Sequence, residues 1–268
     1  MRRRSPRPLA LLMALGIALT SVAGQPASSS AATTNTAAAV ATEFYTWLNR
    51  DRVAKGLVPL RVWAPLATMA TTRATRMAAS GVMSHDAAGG NLGTALTRAG
   101  LPWLGYGEII GESSYAYGTP SGGNLYGMWK ASAPHHAIMF SASYNYMGAG
   151  FVRRSDGTTW ASVVFAKSPD HTAPAAYNGR LSRSGTTVSF AWSGRDVRLQ
   201  TLTAGIRSYD VQYRVDRGAW KLIRNDTTST SIRLTRRAHG HTYSFRVQSK
   251  DRRGNLSRWT SEVRIRVP

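Results

Sequence analysis

Three short stretches of this chain hold side chains that together could do chemistry. Trp129, Ser132 and His135 recur at spacings of three, which on a helix puts an indole, a hydroxyl and an imidazole on one face. Upstream lie Ser84-His85-Asp86, in a polar stretch that ends in Gly89-Gly90, and Gly107-Glu108 before Ile109-Ile110. Brought together, they would make a cleft with two imidazoles and a carboxylate. Neutral imidazoles and carboxylates suit zinc, and a catalytic zinc site needs three protein ligands and a water. His85, His135 and Glu108 are the candidate ligands. Where Glu108 instead hydrogen-bonds a ligand imidazole from behind, two ligands remain and affinity is modest. A polar network that merely fixes the loops uses the same residues.

Positioning these groups requires a folded scaffold, and 268 residues with 43% hydrophobic content supply core for two domains. Arg2-Arg3-Arg4, an apolar run from Leu9 to Val22 and small residues near Ala23 have the three regions of a secretory signal, with cleavage after Ala23 or a later alanine such as Ala31. The competing reading is a membrane anchor, but the run is shorter than the roughly 20 residues of a spanning helix. The expectation is therefore a secreted protein, not membrane-spanning once cleaved. Residues 1–31 are assigned to the signal and the start of a tether, and 32–39 to a flexible linker of Ala, Thr and Asn. Cysteine is absent, which excludes disulfides and thiolate chemistry and leaves stability to core burial.

Val40, Phe44, Trp47 and Leu48 mark an amphipathic helix to about Val53. Gly56 and Pro59 break it, and Pro65 opens a second helix with Leu66, Ala70, Ala74 and Met77 inside and Arg73 and Arg76 outside. Gly81 closes that helix. A short helix is expected between Asn91 and Ala99, a loop at Thr119-Pro120-Ser121-Gly122-Gly123, and a helix from Leu125 through His135. The β-rich runs Tyr146–Val152 and Trp160–Phe165 flank Ser155-Asp156-Gly157 as a hairpin.

Past Ser168-Pro169 the pattern changes to alternation. Val188/Phe190/Trp192, Tyr209/Val211/Tyr213/Val215, Ile232/Leu234 and Tyr243/Phe245/Val247 indicate a β-sandwich of about 100 residues. The net charge of +21 is uneven: between 171 and 268 nineteen basic residues face six acidic ones, a net of +13, whereas 36 to 170 nets +4. Clustered arginine attracts anions, though a solvated arginine-rich face with no partner fits the same count.

In order along the chain, Leu48-Asn49 with Arg52, Gly56-Leu57-Val58-Pro59-Leu60, the Leu66–Met77 helix, Ser84-His85, Gly107-Glu108, Trp129-x-x-Ser132-x-x-His135, Gly148-x-Gly150 and the strand at Val163 resemble the CAP superfamily. This is the group of cysteine-rich secretory, antigen 5 and pathogenesis-related 1 proteins, and the likeness is to its cysteine-free bacterial branch. The C-terminal part resembles fibronectin type III domains, with Trp192, Tyr213, Leu234 and Tyr243 at core positions. The resemblance implies an α+β chain: a CAP-type α-β-α sandwich over 40–168, a linker at 169–175 and a separate all-β sandwich over 176–268. It further implies a cleft of two histidines, His85 and His135, and two acids, which in some members binds a divalent metal such as zinc. Glu108 matches the first acid, Ser132 stands in place of the second, Ile109 replaces a common Asn, and His136 replaces a common Arg. His136 thereby competes for the cleft.

Two functions follow. The favoured one is a non-enzymatic extracellular binding protein, whose cleft takes a divalent metal or small ligand and whose basic sandwich associates with an anionic cell-surface polysaccharide or lipid. The alternative is a metal-dependent hydrolase of peptidase or esterase type, with metal-bound water at His85 and His135 and Glu108 as general base, or with Ser132 as nucleophile beside His135 and Glu108. Ser132 lacks a Gly-x-Ser-x-Gly context. Nucleic acid is not an expected partner, because export and the absence of a recognition motif outweigh the high pI.

Overall fold

A computed structural model describes residues 36–114 and 119–268; the expected signal and most of the tether lie outside the described residues. Helix α1 (Ala37–Ala54) starts three residues before its hydrophobic pattern, because the Thr36 hydroxyl caps it by accepting from Ala39 N at 3.2 Å. After the two-residue strand β1 (Arg61–Val62) comes α2 (Ala64–Ser80), with Pro65 in its first turn. Helix α3 (Leu92–Arg98) is capped by the Asn91 side chain. There follow β2 (Gly105–Ser113), α4 (Thr119–Ala131), α5 (Ala133–Met139), β3 (Tyr146–Arg153) and β4 (Thr159–Lys167).

These elements form three layers. The sheet runs β1-β3-β4-β2, antiparallel except for β1 beside β3. Alternate residues of β4 face opposite layers, as strand geometry demands. Ala161, Val163 and Phe165 pack with Phe44 and Leu48 of α1 and Leu125 and Trp129 of α4. Val164 and Ala166 pack with Leu66 and Ala70 of α2 and Leu92 and Leu96 of α3.

The seat of α2 depends on two glycines. A Cβ on Gly148 would lie 2.1 Å from Ala67 N, and one on Gly150 2.2 Å from Thr71 N, so the helix backbone rests directly on β3.

Two sequence expectations fail locally. The stretch from Thr119 to Gly123 is the first part of α4, not a loop. The helix expected to run through His135 is two helices: Ser132 is extended, with φ −86° and ψ 119°, and Pro134 opens α5. Proline cannot continue the preceding helix but starts a new one well.

The second sandwich has strands β5 (Ala175–Ser184), β6 (Thr187–Arg195), β7 (Ile206–Val215), β8 (Lys221–Thr227), β9 (Ser231–Leu234), β10 (Thr242–Asp251) and β11 (Val263–Arg266). Sheet β5-β6-β9 covers sheet β11-β10-β7-β8, enclosing Phe190, Trp192, Val211, Phe245 and Val247. The segment expected as a linker is tied on both sides. Asn145 binds Ser168 O and Thr201 O through Nδ2, Trp63 stacks on His171 at 4.4 Å, and Asp170 accepts from Ala204 N. From the β6–β7 loop, Leu199 enters the α2/α3 core and Gln200 Oε1 accepts from Val58 N at 2.7 Å.

Substituting Gly150→Ala drives a methyl into the α2 backbone, which cannot rotate away. The expected loss is about 3 kcal/mol, the upper end for overpacking, and urea denaturation of the variant against the parent reads it. A change below about 0.5 kcal/mol would mean that α2 does not sit where described.

Candidate functional site

The site is built from a buried ion pair outward. Arg73 lies on α2 at the seventh position after Leu66 and the fourth before Met77, on the helix's inner face, and is 1% exposed. This corrects its placement on the outside. Glu108 on β2 points toward the same layer and is also buried. Arg73 Nε donates to Glu108 Oε1 at 2.6 Å and Nη2 to Oε2 at 2.7 Å, the two-pronged geometry that makes arginine–carboxylate pairs strong. Ser162 Oγ adds a bond to Oε1 at 2.7 Å, and His85 Nδ1 lies 2.8 Å from Oε2. Arg73 Nη2 also donates to Gly90 O at 3.0 Å, so one guanidinium holds the carboxylate and the loop that carries His85. The charge of Arg73 gives no sign of this role, whereas its spacing from Leu66, Ala70 and Met77 places it on the apolar stripe.

His85 itself is more than half exposed at its side chain. With Nδ1 turned to the carboxylate, its Nε2 is left for an outside partner. His135 stands on α5, positioned by two anchors on β2: Trp129 Nε1 donates to Ile110 O at 2.9 Å, and Ile138 closes on Gly107. Its Nδ1 lies 2.8 Å from Ser132 Oγ. Burial first, and then the neighbouring His85, hold the His135 imidazole below its ordinary value. His136 turns away from this pair and lies against Phe140, ring centroids 4.4 Å apart.

The expected residues thus meet in two pairs rather than one constellation. Glu108 orients His85, and Ser132 adjoins His135. All four acceptor positions of Glu108 are filled by Arg73, Ser162 and His85, which leaves no lone pair for a metal and makes the carboxylate a weak base. Burial pushes its carboxyl up, but the Arg73 and Ser162 hydrogen bonds, the guanidinium charge and the His85 bond outweigh that and hold it below the usual range. A cavity of about 410 Å³ opens against His85, Glu108, Asn91 and Tyr106. A Ser132–His135–Glu108 relay is not assembled, since the carboxylate meets the other imidazole.

Among the described residues, the trio of acidic or imidazole groups with ligand atoms within 4.8 Å of one another lies elsewhere, at Asp170, Asp196 and Asp251 between the sandwiches. Backbone amides hold all three: Thr172 and Ala204 on Asp170, Val197 and Gly205 on Asp196, Arg253 and Asn255 on Asp251. These carboxylates fasten loops at the joint.

Residues 46–165, which contain every part of the cleft, match the cysteine-rich secretory protein family, CAP. The chain carries a CAP domain. Similar solved structures include a cysteine-rich secretory protein of Staphylococcus aureus, 23% identical over 48% of this chain and 38% of that one, TM-score 0.39. An extracellular SCP-domain protein of Bacillus anthracis is 21% identical over 48% of this chain and 40% of its own, TM-score 0.42. The chain therefore spans well under half of either. A fibronectin III-like protein of Clostridium thermocellum is 24% identical over 36% of this chain and 96% of its own, TM-score 0.26; this chain has a CAP sandwich followed by a fibronectin III-like one. No curated protein matches the chain. No helix among the described residues is long and apolar enough to cross a membrane.

The CAP cleft's ion pair has a signed pH dependence. Because the Glu108 carboxyl is held low in the fold, its contribution is fully present above the unfolded value near 4.3 and is lost as pH falls through the folded value. Glu108→Gln leaves the buried Arg73 charge unpaired, and the expected cost at pH 7 is about 3–5 kcal/mol. Denaturation at pH 7 and again near pH 3 should show the gap between variant and parent shrinking in acid; a gap independent of pH would contradict the pairing.

Proposed function

We propose that this is a secreted CAP protein whose cleft binds a divalent metal, zinc by its donor set, through His85 and His135, and whose basic sandwich associates with an anionic surface polymer. The observation that carries the metal reading is the 2.8 Å approach of His85 Nδ1 to a carboxylate that Arg73 holds rigid. Metal-binding imidazoles are commonly oriented by a carboxylate on the opposite nitrogen, and Glu108 has that place relative to Nε2. Ser132 has the corresponding place behind His135. The residues fit two imidazole ligands and no carboxylate ligand. A bound ion would act as a Lewis acid with open positions for an outside ligand. His85 and His135 would bind, Glu108 and Ser132 would orient them, and Arg73 would keep the His85 loop in place. Such a site suits a binding role better than hydrolysis, since Glu108 has no free lone pair with which to take a proton.

The polymer reading rests on the charge of the second sandwich and on how its arginines are held. Arg214 and Arg246 lie over the Trp220 ring at 4.7 and 4.3 Å, and Arg246 also over Trp259 at 4.9 Å. Arg214 is also paired with Glu262, and Arg246 donates to Gln212 Oε1 through Nε and Nη2, so this stack orders the face while the anionic groups would be met by the exposed arginines around it.

Calorimetric titration of the chain with zinc at pH about 7.5 should give saturable binding that fails near pH 5.5, where unperturbed imidazoles are mostly protonated. The double variant His85→Ala/His135→Ala should abolish it. Zinc binding that survives the double variant, or none at the higher pH, would remove the cleft as a metal site.

Retention of the chain on an immobilised anionic polysaccharide such as alginate should be strong at about 50 mM salt and lost by about 500 mM, where the Debye length is only a few ångströms. Absence of retention at low salt would refute the polymer reading.

A further inference from the structure

Seven of the eight tryptophans are buried or half-buried, and Trp103 alone is exposed, at 37%. Tryptophan is highly buried on average, yet this one is fixed in its open position. Its Nε1 donates to Thr97 Oγ1 at 3.1 Å, and its ring stands 5.0 Å from that of Tyr106 at an angle of 79°. The two rings are therefore adjacent walls of a corner. Gly93 on α3 backs one of them: a Cβ there would lie 2.5 Å from Tyr106 Cε1, so the phenol rests directly on the helix backbone. The corner opens on a cavity of about 480 Å³ between α3 and the start of β2, within the roughly 300–1,000 Å³ of small-molecule sites.

The polar groups around this corner fall into two sets. The Thr97 hydroxyl is used internally, donating to Gly93 O and accepting from Trp103, and the Thr94 hydroxyl turns back to Asn91 Oδ1. What remains is donors. Arg98, exposed at the end of α3, forms no ion pair or side-chain hydrogen bond among the described residues. The Tyr106 hydroxyl receives Asn91 Nδ2 at 3.4 Å and keeps its own proton to give. A ligand of this corner must therefore bring a flat apolar face for the aromatic walls and acceptor oxygens along its edge. A hydrocarbon chain leaves the donors unmet, and a bare anion leaves the rings uncovered.

We infer that the corner between α3 and β2 holds one pyranose ring of an oligosaccharide. A pyranose carries C–H groups on its face and oxygens around its edge. The C–H face lies on Trp103, and the edge oxygens accept from Arg98 and Tyr106. A ring with an acetamido group fits best, because its carbonyl oxygen accepts without presenting a donor at the same atom, whereas a hydroxyl presents both. The site uses neither histidine of the cleft and no residue of the second sandwich, so it stands or falls apart from the metal and polymer readings.

The test titrates the full chain with chitotetraose by calorimetry, in about 500 mM salt and with a chelator present. The sugar is uncharged and that salt screens the arginine field, so neither metal nor polymer attraction contributes. Saturable binding is expected, with saturation transfer from the protein to the ring C–H protons in NMR. Trp103→Ala should weaken it at least about tenfold, the worth of a well-packed aromatic contact. Thr94→Trp, at an exposed position of α3, should block the corner and abolish binding while the unfolding midpoint holds. Cellotetraose, with hydroxyls in place of the acetamido groups, should bind at least threefold more weakly, and Arg98→Ala should narrow that difference. The His85→Ala/His135→Ala variant should bind chitotetraose as the parent does, which separates this result from that of the cleft. The proposal is overturned if chitotetraose does not bind, if the Thr94→Trp variant binds it unchanged, or if cellotetraose binds as tightly.

Discussion

The pairing of Arg73 with Glu108 is the constraint on which the CAP domain's chemistry depends. Both groups are out of water between α2 and the sheet, where an isolated charge would cost several kcal/mol. The cost is met by geometry: two parallel bonds from the guanidinium, one from Ser162 and one from His85. A carboxylate so fully engaged has lost its own reactivity and gained rigidity. Its bond to His85 turns Nδ1 of that imidazole inward, and the atom left open beside the cavity is then a nitrogen of His85 rather than an oxygen of Glu108.

That pair exists only because α2 approaches the sheet closely. Gly148 and Gly150 let the helix backbone touch β3, and at that distance a seven-atom side chain from α2 reaches a carboxylate on β2, across β4. The same closeness puts Arg73 in the walls of two cavities, the one beside His85 and a second of about 540 Å³ between α2 and α3. A helix set farther out would separate the ion pair, release the His85 loop from Arg73 Nη2, and merge the two cavities. On the opposite face, Trp129 and Ile138 do for α5 what the glycines do for α2, fixing the helix that carries His135 against β2.

Much of this was legible in the sequence, and the exceptions share a cause. Helices α1 and α2, the β3–β4 hairpin and the core strands of the second sandwich follow from period and alternation, because each buries a full apolar face. The break at Ser132 was not read, because spacing of three looks helical even where Pro134 forces a new start. Strand β2 is obscured by three glycines and two glutamates, residues depleted in strands, although here the glycines make room for the helices and Glu108 meets Arg73. Arg73 lies inside because its place on the apolar stripe, with Glu108 as partner, outweighs the outward preference of its charge. Residue type marks His85 and His135, and the spacing of three already sets Ser132 beside His135, but the bond between His85 and Glu108 spans 23 residues, which no local pattern encodes.

The joint between the sandwiches changes how the charge of the second one should be weighed. By count, its six acidic residues offset part of the arginine excess. Two of them do not: Asp251 is fully buried, and Asp196 turns with it toward Asp170 between the sandwiches. Burial there and the neighbouring Asp170 and Asp251 charges, working against bonds from Gly205 and Val197, raise the Asp196 carboxyl above its usual range. The repulsion is tolerated because six backbone amides converge on the three carboxylates, and Leu199 and Gln200 from the same loop lock into the CAP domain. Acid that is used to fasten the joint is withdrawn from the outer faces, where field strength falls off within about 10 Å. The effective surface of the second sandwich is therefore more cationic than its net of +13 implies, and what holds the two sandwiches together also concentrates the positive field on the faces left open.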